Sequence, residues 1–284
     1  MRLHRYSSFV LTVILLSQVF AQQPKNIVYR PTPKAPVRKA TSLENAQLKE
    51  NLPWTFGGKA QRGWQLYEPL IRQFVNCEAN PDSEDFAMAI SAWQQSVGLT
   101  TSGVIEQESW MRMVERWQAV RSKERAIPAS EKLLTVAASE FYDPERPPEL
   151  RQVERETFAA YQRMAAAAAR DLGLALDDKG ALAASEKYLK IISAFRSPAY
   201  QQKLRQQSPN AGRAGLAVNS PHFTGRTLDL YVGGEPVSTK DENRALQVNT
   251  KAYRWLVKNA GKFGFIPYFY EPWHWEYNPQ AAKE

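Results

Sequence analysis

The chain has 284 residues, a hydrophobic content of 43%, eight tryptophans and a net charge of +8. This length allows one large or two small domains, and the apolar content is ample for folded cores. Cys77 is the only cysteine, which excludes an intramolecular disulfide and a Cys-x-x-Cys metal site. We interpret Cys77 as a small apolar core residue. The positive charge suits anionic partners, or it serves solubility alone.

Residues 1–21 have the pattern of a secretory signal peptide. Arg2 and Arg5 precede an apolar run over residues 9–20, and the segment ends in a small-x-small cleavage pattern at Ala21. The run is shorter than the roughly 20 residues that span a bilayer, which favours cleavage over a membrane anchor. We therefore expect a secreted, periplasmic or wall-associated protein without a membrane span after cleavage. Export argues against nucleic acid as a partner.

Residues 22–52 are predicted to form a semi-rigid, extended, basic tether. The segment lacks apolar periodicity and places Pro24, Pro31, Pro33 and Pro36 among lysines and arginines. Such a tether would hold the folded part of the chain away from its N-terminus.

Residues 53–123 are predicted to form a small all-helical domain, because apolar side chains recur there at helical spacing. One helix carries Phe86, Ile90 and Trp93 and ends at Gly98, and the next starts near Glu106 and carries Trp110, Met113, Val114 and Trp117. The string FAMAISAWQQSVGLTTSGVIEQESWMRM resembles the second half of the helical peptidoglycan-binding domain found beside many wall hydrolases. This resemblance implies glycan binding. The alternative is an ordinary three-helix bundle with an aromatic core.

Residues 127–284 mix helical and strand patterns, which predicts an α+β domain. A long helix is expected from Pro147-Pro148, which suit a first helical turn, to a stop at Gly173. We predict strands over 188–195, 226–232 and 265–277, and one helix over 243–263.

His222 and His274 are the only histidines outside the predicted signal peptide. His222 and Asp229 are seven residues apart, up to roughly 23 Å in an extended chain, so they can share a metal ion only if the chain turns back. Gly225 supplies the bend because glycine readily adopts positive φ. Beyond the bend, strand alternation lets Asp229 point back towards His222.

Glu271 precedes His274 by three residues, a spacing that separates the two side chains on a regular strand. Pro272 lies between them and cannot donate to a sheet ladder, so we expect a bulge or bend that brings both into one pocket. Two histidines and one carboxylate leave a coordination position for water, which is typical of catalytic zinc, and Glu271 is then the natural general base. On spacing alone, the alternative that the histidines are satisfied core residues stays open.

Three segments, in family order, resemble the motifs of the zinc D-Ala-D-Ala carboxypeptidases of the VanY type. Ser220–Asp229 is similar to S-x-H-x-x-G-x-A-x-D, Glu271–His274 to E-x-W-H, and Ser193–Gln201 to S-G-Y-R-S…Q. The resemblance covers roughly residues 130–280. The departures from the motifs are Thr227 for Ala, Ala194 for Gly, and Phe195 for Tyr, the last of which loses a hydroxyl that could contact substrate.

The resemblance implies a hedgehog/DD-peptidase-like zinc peptidase domain over residues 127–284. It implies zinc ligands at His222, Asp229 and His274, Glu271 as the base, and Arg196 as the group that binds a substrate carboxylate or the developing oxyanion. Weaker candidates for substrate contact are Ser197, Gln201 and Ser220, of which Ser220 could instead be only a turn former.

The expected activity is removal of the terminal D-Ala from peptidoglycan stem peptides, with Zn²⁺ as the cofactor. An L,D-carboxypeptidase or an endopeptidase acting on the same stems is the enzymatic alternative, because the motifs do not specify the bond that is cut. An alternative of another class is a non-catalytic, zinc-containing wall-binding protein. Glu271 and Arg196 argue against it, since a structural zinc site needs neither.

Overall fold

The computed structural model describes residues 39–209 and 216–280. The predicted signal peptide and the proline-rich start of the predicted tether lie outside the described residues. Within the described ranges, no helix combines the length and the apolar character needed to cross a membrane. Numbered in chain order, the described helices are α1 Lys39–Asn51, α2 Glu68–Phe74, α3 Glu84–Ser96, α4 Gln107–Ala119, α5 Arg155–Leu172, α6 Pro198–Gln207, α7 Asp241–Val248 and α8 Lys251–Asn259.

The strands form two hairpin-like pairs and one four-stranded sheet, so the predicted α+β class is confirmed. The strands are β1 Pro53–Phe56, β2 Lys59–Arg62, β3 Leu133–Thr135, β4 Gln152–Glu154, β5 Ile191–Ser193, β6 Thr227–Leu230, β7 Phe265–Pro267 and β8 His274–Tyr277. The four-stranded sheet has the order β5-β6-β8-β7, and every neighbouring pair is antiparallel. Its central strands β6 and β8 carry the residues of interest.

The N-terminal region differs from its prediction in two respects. Residues 39–51, expected to belong to an extended tether, form helix α1, because the side chain of Asn45 is buried and anchors the helix by bonding Gly103 O at 2.8 Å and Ile105 N at 2.9 Å. The region is also not all-helical, since β1 and β2 pair before α2. Helices α3 and α4 lie where the apolar periodicity predicted them. Cys77 is half-buried at the edge of the core.

The long helix predicted from Pro147-Pro148 starts later than expected. Residues 148–150 form a single 3₁₀ turn, and β4 then pairs with β3 before the helix begins. The Glu154 side chain caps α5 by accepting a hydrogen bond from Thr157 N at 2.9 Å. The predicted stop is confirmed, because Gly173 has φ +69° at the C-cap.

The helix predicted over 243–263 is two helices. Thr250 interrupts it by starting α8, where its Oγ1 accepts a hydrogen bond from Tyr253 N at 3.1 Å. Such a cap offers the backbone an alternative to a continuous helix. The strand predicted over 188–195 is shortened to β5, and Leu189 just before it adopts φ +65°.

The N-terminal region and the sheet share one hydrophobic core. Phe269, from the turn between β7 and β8, contacts four aromatic rings of the N-terminal region: its centroid lies 4.8 Å from Phe56, 5.5 Å from Tyr67, 5.8 Å from Trp117 and 6.4 Å from Trp54. The predicted boundary between residues 53–123 and 127–284 is therefore not a boundary between separate cores.

Candidate active site

The sheet aligns three polar side chains across its strands. Ser193 on β5 is paired with Asp229 on β6, and Asp229 is paired with His274 on β8. Residues directly opposite each other in antiparallel strands project their side chains to the same face. All three residues are buried. The strand register therefore brings together Asp229 and His274, which are 45 positions apart in the chain.

His222 reaches the same face from a short 3₁₀ turn, Pro221–Thr224. Ser220 starts this turn by accepting a hydrogen bond from His222 N at 3.3 Å, and Gly225 ends it with φ +67°. A Cβ at Gly225 would lie 3.0 Å from Leu133 Cδ2 and 3.1 Å from Glu154 N, so a side chain would be crowded there as well as strained by the backbone conformation. The bend predicted at this glycine is confirmed.

His222, Asp229 and His274 form a buried cluster that could hold a metal ion. Asp229 Oδ1 lies 3.3 Å from His222 Nε2 and 3.1 Å from His274 Nδ1, and one potential ligand atom of each residue lies within 4.8 Å of the others. Two imidazole nitrogens and one carboxylate oxygen are a donor set suited to a transition-metal ion.

The outer nitrogens of both imidazoles have acceptors, which fits metal binding by the inner nitrogens. His222 Nδ1 lies 2.6 Å from the carbonyl oxygen of Ala194, and His274 Nε2 lies 3.4 Å from Glu276 Oε1. An N–H on each outer nitrogen leaves the inner nitrogen with a free lone pair. Both the type of the donor atoms and the tautomers favoured by these acceptors therefore fit a metal ion bound by the inner nitrogens.

The charges of the metal-free cluster follow from its burial and contacts. Burial and the neighbouring Arg196 cation lower the pKa of His222 to about 4, so this imidazole is neutral at pH 7. Burial alone would raise the pKa of Asp229, but His222 and Arg196 hold it well below its usual range. Burial also lowers the pKa of His274, yet hydrogen bonds to Asp229 and Glu276 outweigh it and raise this pKa to about 9. Asp229 is thus ionised and ready to act as a ligand.

Glu271 lies beside the cluster because the chain turns tightly before β8. Glu271 N donates to Tyr268 O at 3.1 Å and His274 N donates to Glu271 O at 3.0 Å, which gives the bend expected around Pro272. Glu271 Oε2 lies 3.6 Å from His274 Nδ1. Burial raises the pKa of Glu271 to about 7, although the His274 charge opposes the shift. A carboxyl group with a pKa near neutrality is suited to accepting and returning a proton.

Arg196 contacts the cluster directly. Its Nη2 donates to Asp229 Oδ2, and its Nε donates to Ser193 Oγ at 2.9 Å. The guanidinium therefore fixes the orientation of the Asp229 carboxylate while it lines the adjoining cavity. This contact was not foreseen from the sequence, which predicted only a role towards the substrate.

The three weaker candidates occupy different positions. Ser220 lines the cavity in addition to starting the 3₁₀ turn. Ser197 caps α6 by accepting a hydrogen bond from Tyr200 N at 3.2 Å. Gln201 is buried beneath the cavity wall, where its Nε2 donates to Ala217 O at 2.9 Å. Neither Ser197 nor Gln201 is part of the cavity lining.

A cavity of about 440 Å³ opens over the cluster, and four of its lining residues are arginines: Arg121, Arg125, Arg146 and Arg196. Arg121 pairs with Glu276, as Arg196 does with Asp229. Among the described residues, Arg125 and Arg146 pair with no carboxylate: Arg125 Nε donates to Asn219 O at 3.2 Å and Arg146 Nε to Leu150 O at 3.0 Å. A larger cleft of about 700 Å³ between α2 and α8 contains none of the cluster residues.

Glu276 and the arginines of the cavity other than Arg196 were not predicted as site residues from the sequence. Glu276 had a detectable signal, because it lies two residues after His274 and strand alternation puts both side chains on one face. Arg121, Arg125 and Arg146 had none, since basic residues are spread along the whole chain and nothing local sets these three apart.

A buried cluster of two histidines and an aspartate, with a further carboxylate beside it and an open cavity above, is the arrangement found in metal-dependent hydrolases. Residues 150–280 match the model of the VanY family, described as D-alanyl-D-alanine carboxypeptidase. This part of the chain is therefore a VanY-family peptidase domain, and it contains the whole cluster and Glu271. No curated protein matches the chain. The peptidoglycan-binding resemblance of residues 53–123 stays a prediction.

Proposed function

We propose that this protein is a zinc-dependent D-alanyl-D-alanine carboxypeptidase that removes the terminal D-Ala from peptidoglycan stem peptides. Zinc would be held by His222, Asp229 and His274. The observation that carries the proposal is the buried three-donor cluster with the Glu271 carboxylate 3.6 Å from one of its donors. A structural metal site has no use for this extra buried carboxylate or for a cavity, which favours catalysis over a wall-binding role alone.

The side chains around the cluster have different roles in the proposed hydrolysis of the peptide bond. When bound, zinc supplies a Lewis acid that lowers the pKa of a water molecule and polarises the peptide carbonyl. Glu271 accepts the proton of the attacking water and later delivers it to the departing amine, a cycle that its pKa near 7 allows. Arg196 holds Asp229 and presents positive charge to the oxyanion that develops on the carbonyl oxygen.

The cavity favours a carboxypeptidase over an endopeptidase. A substrate cut at its last peptide bond brings a free carboxylate close to the reacting carbonyl, whereas an internal bond does not. Arg125 and Arg146 line the cavity without a carboxylate partner among the described residues, so either cation can receive that carboxylate. Arg196 is already held by Asp229 and Ser193, which suits it better to the oxyanion.

Defined stem peptides test the proposal. The purified protein is incubated with tripeptide, tetrapeptide and pentapeptide stems, with and without a chelator, and the products are identified by mass. We expect loss of one D-Ala from the pentapeptide, no reaction in chelator, and recovery when zinc is added back. Cleavage of the tetrapeptide instead would assign L,D-carboxypeptidase activity, and cleavage of cross-linked dimers would assign endopeptidase activity. No cleavage of any stem by the zinc-loaded protein would leave the wall-binding alternative.

We also propose that the protein is exported and works at the cell wall, with residues 53–123 contacting glycan. The proposal is supported by the signal-peptide pattern of residues 1–21, and it agrees with the proposed cell-wall substrate. N-terminal sequencing of the protein recovered outside the cytoplasm should begin at Gln22. Sedimentation of the full-length protein with purified peptidoglycan, compared with its sedimentation alone, tests the glycan contact.

A further inference from the structure

An ion-paired glutamate, Glu276, lies beside the candidate metal cluster and is bound by a residue outside the range that matches the family model. Glu276 Oε1 lies 3.4 Å from His274 Nε2 and accepts two hydrogen bonds from Arg121, one from Nε at 2.9 Å and one from Nη2. Arg121 follows α4 directly and is 155 positions from Glu276. Through Arg121, the N-terminal region thus contacts a residue that touches the candidate metal cluster.

The position of Glu276 is tied to His274 by the strand. Both lie on β8, two residues apart, and Glu276 is paired with Thr227 on the same sheet face on which His274 is paired with Asp229. Glu276 is almost fully buried, its side chain being 3% exposed, and its Oε2 has no hydrogen-bond partner among the described residues. The carboxylate therefore depends on Arg121 and His274 to compensate its buried charge.

Arg121 is itself held in place on three sides. Its Nη1 donates to Gln118 Oε1 at 3.1 Å, its Nε and Nη2 donate to Glu276, and its guanidinium carbon lies 3.9 Å from the centre of the Tyr268 ring. Planar, fixed donors of this kind hold a carboxylate in one orientation, which a lysine would not do equally well. The Glu276 carboxylate is therefore presented to His274 in a defined position.

A histidine that binds a metal through one nitrogen is oriented by the acceptor at its other nitrogen. His274 Nδ1 faces Asp229, so Nε2–H must donate outward, and Glu276 is the acceptor there. We propose that Arg121, supplied by the N-terminal region, is a positioning residue for the metal site: it fixes Glu276, which fixes the His274 ring. The N-terminal region thereby serves the peptidase domain in a way that glycan binding does not require. This inference rests on the part of the proposed function that assigns zinc to His222, Asp229 and His274.

The zinc affinity of the full-length protein, measured without substrate, tests the contacts from Arg121 through Glu276 to His274. The variants are Arg121→Met, Glu276→Gln and the double substitution, with Arg116→Met, on the exposed face of α4, as the matched control. Each metal-free protein is titrated with zinc against a chromophoric chelator at several pH values between about 7.5 and 9.5, so that proton competition for the ligands is measured together with zinc affinity. We expect each single variant to bind zinc about 10- to 100-fold more weakly, the double variant to lose no more than Glu276→Gln alone, and the control to match the wild type.

Arg121 could instead serve only to attach the N-terminal region, and the same proteins separate the two roles. In that case Arg121→Met would lower the unfolding temperature while zinc affinity stayed at the wild-type value, which would overturn the inference. Losses that multiply in the double variant would overturn it too, since they would show that Arg121 and Glu276 act independently.

A conservative variant covers the case in which Arg121→Met does not fold. Arg121→Lys keeps the charge but loses the two-donor contact, and we expect roughly three- to tenfold weaker zinc binding. Unchanged affinity in Arg121→Lys would contradict the inference. A wild-type protein that binds no zinc would overturn the proposed metal site and this inference with it, whereas normal zinc binding without peptide cleavage would overturn only the proposed activity.

Discussion

One short segment, residues 268–276, contributes side chains to two clusters that are held together by different interactions. Phe269 packs into the aromatic cluster of the N-terminal region, where most contacts are between rings and the few polar groups, such as Trp54 Nε1, bond elsewhere. Glu271 and His274, a few residues on, enter the polar cluster on the sheet, where distances and tautomers are constrained by hydrogen bonds. The turn around Pro272 separates the two environments.

The different interactions in the two clusters indicate that one contributes mainly to stability and the other mainly to the proposed chemistry. Apolar packing is not directional, so the aromatic cluster stabilises the unit in proportion to the area it buries. The polar cluster costs stability when its members are buried, and it is retained for what its charges do. We therefore expect substitutions in the polar cluster to affect chemistry most and substitutions in the aromatic cluster to affect unfolding most.

The largest effect is expected at Glu271. Glu271→Gln keeps the shape of the side chain but removes the group that accepts the proton, so kcat should fall by about 10²- to 10⁴-fold. Zinc content and unfolding temperature should stay close to those of the wild type, because Glu271 is not one of the three donors. Kinetics on the pentapeptide stem and metal analysis measure both. A variant that cleaves at the wild-type rate would show that another group is the base.

A substitution at Phe269 tests the contribution of the aromatic cluster to stability. Phe269→Ala removes a ring, 2% exposed, that contacts four aromatic neighbours, and we expect a loss of about 3–5 kcal/mol in the free energy of unfolding. Because the ring joins the two regions in one core, the wild type should unfold in a single transition, measured by denaturant titration. The matched control is Phe158→Ala, a half-buried ring that stacks on Tyr161 away from the shared cluster, for which a smaller loss is expected. Separate transitions for the two regions of the wild type would contradict the shared core.

The pH dependence of stability probes the polar cluster without substrate. Burial raises the pKa of Glu276, but the hydrogen bond and charge of His274 and the Arg121 cation outweigh it and lower this pKa to about 2. A depressed carboxyl pKa contributes stability above its unfolded value, near 4.5, and this contribution is lost as the pH falls towards 2. It amounts to about 3 to 4 kcal/mol at most, from about 1.4 kcal/mol for each unit of pKa.

The measurement compares metal-free wild type with Glu276→Gln in denaturant at several pH values. The difference in their free energy of unfolding should be nearly constant between about pH 5 and 6.5 and should shrink below pH 5. Above pH 6.5 it should also shrink, because Glu276 helps raise the pKa of His274 from 6.5 to about 9 and this contribution is lost as His274 deprotonates. A difference that does not change between pH 5 and 2.5 would show that the Glu276 ion pair contributes nothing to folding.

The smallest effect is expected at the cavity wall. Arg146→Gln should raise KM for the pentapeptide about tenfold with a smaller change in kcat, because a charged hydrogen bond to the substrate carboxylate is lost. Arg125→Gln is measured beside it, since either cation can take this role, and the exposed Arg163→Gln is the control. A pentapeptide with an amidated C-terminus lacks the carboxylate, so its KM should be high for the wild type. The KM of the affected variant for this amidated peptide should be close to that of the wild type. Unchanged KM in both Arg125→Gln and Arg146→Gln would remove the arginine argument for a carboxypeptidase.

Much of the site could be read from the sequence because its chemistry is local. His222, Gly225 and Asp229 lie within eight residues, so the bend and the facing side chains are properties of one short segment. The end of α5 at Gly173 is local in the same sense. The two-domain division was less reliable, because apolar periodicity reports which side chains are buried but not against what they pack. Phe269 had the pattern of any aromatic strand residue, and its four partners belong to a region about 150 to 215 residues earlier in the chain.

The sequence by itself determined the candidate ligands, the candidate base, the α+β class and the family resemblance, since these depend on residue type and short spacing. Only the tertiary structure decided that Asp229 faces His274, that Arg196 holds Asp229, and that Arg121 reaches Glu276. Strand register and contacts over long separations depend on the packing of the whole unit, and no local pattern records them. The metal site is in this sense a local motif whose orientation is completed by distant residues.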